Sequence, residues 1–130
     1  MNKHNEQLGR KMPVTIWIAN EAGHPGYEKA LEVVKEEATL KPLTIGNVNT
    51  LNFDRLTYEL ARGVARYVNE DDYLIFSGTA IIPAIALLLW VTQFGECKIL
   101  QWKARDRTYQ INKVSQEHVS NLLSKEMTRI

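Results

Sequence analysis

The chain has 130 residues, 45% hydrophobic and 24% charged, with sixteen basic against fifteen acidic side chains for a net charge of +1. That size supports one domain with a real core, and the even balance excludes a global field drawing the protein to DNA or to an anionic membrane. A lone cysteine, Cys97, excludes an internal disulfide and fits a reducing, cytoplasmic setting.

Residues 1–12, from the stretch "MNKHNEQLGRKMP", lack the apolar run of a secretory signal and are expected to be a polar or disordered tail before a single α/β domain over 13–130. The β-branched and aromatic "VTIWIA" at 14–19 predicts a first strand, ended by the turn-rich "NEAGHPG". Residues 27–38 place Ala30, Leu31, Val34 and Ala38 on one side, which predicts an amphipathic first helix. "LTIGNV" at 43–48 predicts a second strand, and 53–68 a second helix whose Leu56, Leu60, Val64 and Tyr67 recur at helical spacing behind an Asn52 cap.

"YLIF" at 73–76 predicts a third strand, without polar alternation and so buried on both faces. Residues 80–94 follow as a third helix ended by Gly95, with Thr79 as its expected N-cap because Pro83 is tolerated only in a first turn. Its apolar run is too short to cross a bilayer, and its lack of a polar face predicts a second subunit packed on helix 80–94. "CKILQW" predicts a fourth strand; "KARD" a turn into a short fifth, with Arg107, Tyr109 and Ile111 on one face; and residues 115–125 a closing helix. The order β-α-β-α-β-α-β-(β)-α predicts a three-layer, Rossmann-like or flavodoxin-like α/β domain with a mostly parallel sheet of four or five strands.

In such a sheet ligands bind beyond the carboxyl ends of the strands. The loops gathered there offer Asn20, His24 and Gly26 after the first strand, Asn47, Asn49 and Thr50 after the second, and Ser77, Gly78 and Thr79 after the third. Free N–H groups of the third helix's first turn can hold a phosphate, and a bulky residue at Gly78 is expected to block it without disturbing the fold. The plainer reading is that Thr79 caps its own helix and Gly78 turns the chain. Lys103 and Arg105, with Arg107 beside Trp102 and Tyr109, can clamp phosphate and stack a base, or simply keep a hairpin tip soluble. His24, with Glu21 near it in sequence, is the one candidate acid–base pair, and nothing beside it completes a nucleophilic set. Its alternative is an exposed turn histidine. His4, His24, His118 and Cys97 lack metal-ligand spacing, no Gly-rich dinucleotide or Walker pattern is present, and no cofactor is expected. Asp71 and Asp72 read as solvated turn residues at the opposite edge.

The strand, Ser77-Gly78-Thr79 and helix resemble the ligand loop of Rossmann-like sensor domains that bind cyclic oligonucleotides in CRISPR signalling. The βαβαβα run with "FGECKILQW" after it is similar to small α/β proteins of bacteriophages and prophages. Those resemblances imply a nucleotide-like ligand and, for the phage proteins, sequestration of a nucleotide immune signal. The expectation is therefore a homo-oligomeric binder, not an enzyme, that holds a phosphorylated, nucleotide-derived molecule. A small hydrolase or nucleoside-transferring enzyme using His24 and Glu21 is the first alternative, and a structural adaptor assembling through its third helix the second.

Overall fold

A computed structural model describes residues 12–23 and 26–129. The expected tail falls, Met12 apart, outside the described residues. Five strands form one sheet in the order β2-β1-β3-β4-β5. They are β1 (Val14–Ile18), β2 (Ala38–Pro42), β3 (Tyr73–Ile75), β4 (Glu96–Lys103) and β5 (Thr108–Ser115). The helices are α1 (Ala30–Val33), α2 (Phe53–Tyr67), α3 (Ile81–Phe94) and α4 (Gln116–Met127).

The first three pairings are parallel, but β4 and β5 run antiparallel through all eight of their residues. The sheet is thus mixed, which corrects the expected mostly parallel, three-layer Rossmann-like or flavodoxin-like domain. The reason is local. Residues 104–107 reverse the chain, with the Asp106 N–H donating to the Lys103 carbonyl at 3.1 Å, and an antiparallel neighbour needs no helical crossover. Arg107 belongs to this turn, in the left-handed region at φ 54°, rather than to the strand.

A second correction concerns the first crossover. The periodicity of 27–38 yields only a 3₁₀ turn (Tyr27–Lys29) and one turn of α1, after which Val34 is already extended with ψ 120°. β2 then pairs with β1 in register from Val14 opposite Ala38 to Ile18 opposite Pro42, so the strand lies five residues earlier than "LTIGNV". Its alternation of half-buried Ala38, Leu40 and Pro42 with exposed Thr39 and Lys41 is that of an edge strand, where a terminal proline is harmless.

One sheet face is covered by α2 and α3, which enclose Trp17, Leu56, Leu60, Leu74, Trp90 and Ile99. The other carries Ile16, Ile18, Tyr27, Ala30, Ile75, Leu100 and Tyr109 under the short α1. α2 begins at the expected cap, the Asn52 side chain accepting from the Arg55 N–H at 3.3 Å. α3 ends at Gly95, left-handed at φ 85°, but starts at Ala80 with no side-chain cap. Thr79 is therefore not its N-cap; the Thr79 carbonyl instead accepts from the Ile82 N–H.

Asp72 is not a solvated turn residue. It is 2% exposed, and its carboxyl oxygens accept from the Thr15 N–H at 2.9 Å, the Trp17 Nε1–H at 2.9 Å and the Asn69 N–H at 2.8 Å. One side chain thus joins the start of β1, the large indole beneath α2 and α3, and the turn into β3. Replacing it strands up to three donors away from water, so Asp72→Ala should cost about 3–5 kcal/mol in urea unfolding and Asp72→Asn about 1–2 kcal/mol. Equal, near-zero losses would refute this role. Cys97 is buried in β4, and burial pushes its thiol up to about 12. It should react with an aromatic disulfide reagent at pH 8 only after denaturant unfolds the chain.

Candidate functional site

The chain leaves β1 toward β2 on one side and returns to β3 on the other, so the strand order reverses between β1 and β3. At such a switch point the connections diverge and leave a crevice beyond the strand ends. Here Asn20 and Ser77 meet. The Asn20 N–H donates to Ser77 Oγ at 3.3 Å, and Ser77 Oγ–H donates back to the Asn20 carbonyl at 3.1 Å.

Asn20, only 5% exposed, spends its side chain on the protein: Nδ2 donates to the Gly46 carbonyl at 3.2 Å and Oδ1 accepts from Thr44 Oγ1 at 2.9 Å. It ties the loops together. The loop it holds is the predicted second strand, which forms only an isolated bridge from Ile45 to Glu21, beyond Pro42 where β2 ends. Gly78 passes so close that a Cβ there would sit 2.6 Å from Asn20 Cβ, and its φ is +85°. A bulky Gly78 substitution is consequently not neutral to the fold, contrary to the sequence-based expectation.

Two clefts flank this tie. One, of about 440 Å³, is lined by Ala22, Gly23, Tyr27, Trp102 and Tyr109 over Ile75, Phe76, Ser77 and Gly78. Trp102 and Tyr109 meet edge to face with centroids 5.0 Å apart. The Tyr27 hydroxyl donates to the Asn20 carbonyl at 3.1 Å and accepts from the Ala22 N–H at 3.3 Å, which sets its ring at the mouth of the switch point. Burial, then neighbouring Tyr27 and Glu28, push the Tyr109 hydroxyl up to about 12, so it stays protonated at neutral pH. The second cleft, of about 490 Å³, is lined by Thr44, Asn47, Asn49, Asn52, Arg55 and Glu59 among others. Among its described lining residues the one cation, Arg55, is paired with Glu59 at 3.0 Å.

The candidate residues therefore divide. Ser77 and Gly78 line the aromatic cleft, Asn47 and Asn49 line the other, and Asn20 bonds to a lining residue of each. Thr50, Thr79 and Gly26 line neither; Gly26 instead starts the 3₁₀ turn, its carbonyl accepting from the Lys29 N–H. Lys103 is paired with Asp106 at 3.3 Å on the hairpin, beside exposed Arg105. His24 lies outside the described residues. Glu21 is exposed, and its backbone serves the Thr44–Gly46 loop. Tyr27 is the residue that periodicity missed, since it reads as the start of a helix; the turn-rich stretch that ends at Gly26 is the local signal beside it. Among the described residues no group of three His, Cys, Asp or Glu side chains is placed to hold a metal, and no helix is long and apolar enough to cross a membrane.

The family described as Phage Pam3 gp32-like protein matches residues 35–116, from the end of the first crossover through β5. The chain belongs to this family. No curated protein and no solved structure matches it. The matched span of this phage protein contains β3, Ser77, Gly78 and the whole β4–β5 hairpin, hence Trp102 and Tyr109, whereas Asn20 and Tyr27 precede it.

Gly23 and Gly78 share φ +85°, but only Gly78 has a neighbour where a Cβ would go. Gly23→Ala should cost about 1 kcal/mol in stability from backbone strain alone, and Gly78→Ala clearly more, at about 2–3 kcal/mol. Equal losses in chemical denaturation would show that the approach to Asn20 imposes nothing.

Proposed function

We propose that this phage protein binds, without transforming it, a phosphorylated nucleotide-derived small molecule in the aromatic cleft beside the β1–β3 switch point. The observation that carries the proposal is the gathering of Tyr27, Trp102 and Tyr109 over the Ser77–Gly78 backbone in a space of about 440 Å³. Tyr27 and Tyr109 are buried, and partly exposed Trp102 offers the face on which a nucleobase stacks, a contact that contributes about 1–3 kcal/mol per base. The phosphate lies toward the exposed turn at Gly78, Thr79 and Ala80, where α3 begins without a side-chain cap and its dipole favours an anion. Arg105 and Arg107 on the hairpin supply the remaining positive charge. Asn47 and Asn49, in the other cleft, have no part in this mode.

The biological role that fits such a binder in a phage protein is sequestration of a host nucleotide signal, such as a cyclic nucleotide, in the cytoplasm. Holding suffices for that role, and the cleft presents stacking surfaces rather than a nucleophile with its base.

The test is calorimetric titration with mono-, di- and cyclic oligonucleotides, followed by denaturation and mass spectrometry of the recovered ligand. Trp102→Ala should weaken binding at least tenfold while Asn49→Ala leaves it unchanged, and the ligand should come back intact. Recovery of a cleaved product would replace the binder with an enzyme. Loss of affinity in Asn49→Ala but not in Trp102→Ala would move the site to the second cleft.

A further inference from the structure

We propose that α4 is a self-association element, in which two copies of this chain lay their α4 helices side by side and antiparallel, covering Val119, Leu122, Leu123 and Met127. These four residues recur at 119, 122, 123 and 127, one stripe along the helix. They are 46%, 49%, 60% and 72% exposed, and no residue of α4 is buried.

The helix is attached at its beginning. Ser115 Oγ caps it by accepting from the His118 N–H at 3.3 Å, and the Gln116 N–H donates to the Gly95 carbonyl at 2.9 Å. Its main packing partner is β5, the strand it continues without a loop. A 12-residue helix in which no residue is buried is marginal in water, and an apolar stripe facing solvent gives it no further support. A covering surface supplies what the helix lacks.

The charges select the occupant. Within α4, Glu117 and Glu126 stand against Lys125, so the polar face is not the basic one that lies on an anionic membrane, and no tryptophan or phenylalanine is present to anchor it there. Glu117 lies in the first turn and Lys125 in the last, while Glu126 is already paired with Arg129 at 3.1 Å. An antiparallel copy sets the acidic start of one helix beside the basic end of the other and opposes their dipoles. A stripe that is apolar throughout is complementary to itself under a two-fold axis, and a chain of net charge +1 imposes little repulsion between copies. α3, the helix whose composition suggested an interface, has its other large side chains turned toward α2 and the sheet, leaving Leu88, 64% exposed, to face outward.

Sedimentation velocity on the full chain across micromolar concentrations tests this. The expected result is a dimer that Leu123→Glu converts to monomer, raising the dissociation constant at least tenfold, with the unfolding midpoint of the domain core followed in parallel to confirm folding. Leu88→Glu should leave the dimer intact. Cysteine variants read the direction: with native Cys97 buried, Val119→Cys and Met127→Cys chains should form a disulfide with each other when mixed under mild oxidation, and Met127→Cys should not join to itself. A wild-type chain that stays monomeric, a dimer indifferent to Leu123→Glu, self-joining through Met127→Cys, or monomers that bind vesicles containing phosphatidylglycerol would each overturn the proposal.

Discussion

The carboxyl group of Asp72 is the constraint on which the arrangement of the central strands depends. β1 and β3 are neighbours although more than fifty residues separate them, and their direct pairing runs through only three residue pairs. Asp72 adds bonds to the Thr15 backbone and the Trp17 indole from a position immediately before β3, at the amino edge of the sheet. A buried acceptor is costly unless its partners are in place, so the group both requires and specifies this register. Trp17 held in this way presents its ring to the core beneath α2 and α3. At the opposite edge Asn20 and Ser77 bind the same two strands again, so the switch point is clamped at both ends.

The candidate site follows from what does not cover the sheet. α2 and α3 together supply twenty-nine residues to one face, fifteen and fourteen, whereas α1 supplies four to the other. Large aromatic side chains from separate elements stand where a longer helix would lie: Tyr27 from the 3₁₀ turn, Trp102 from β4 and Tyr109 from β5. They close the core while leaving a cleft of ligand size at the carboxyl edge. The hairpin contributes twice, since its antiparallel pairing sets Trp102 directly opposite Tyr109 and its turn carries the basic residues.

The elements with long, unbroken patterns were legible from residues alone. α2 with its Asn52 cap, the buried β3, and α3 closed by Gly95 lie within a residue of where periodicity puts them. The failures are at the first crossover. Ala30, Leu31 and Val34 satisfy a helical template, but the chain must return across β1 to pair at Ala38, and extended residues cover that distance. Once β2 moves to Ala38–Pro42, the asparagine loop moves with it, and Asn47 and Asn49 end in a different cleft from Ser77. The aromatic site is reached by the Ser-Gly segment and by Ala22 and Gly23 of the first loop, both of which follow strands, β3 and β1, whose positions were placed correctly.

By itself the sequence determined which segments are apolar enough to be buried, where helices start and stop through Asn52, Pro83 and Gly95, and that the chain carries no field or disulfide framework. These are properties of neighbours within a turn or two, and local chemistry decides them. Only the tertiary structure decided that the sheet is mixed, that Asp72 is buried among three donors, and that Asn20 bonds to Thr44 and Gly46. The bonds of Asp72 to Thr15 and Trp17, and of Asn20 to Thr44 and Gly46, bring groups more than twenty residues apart within about 3 Å, a hydrogen-bonding distance that no periodicity encodes.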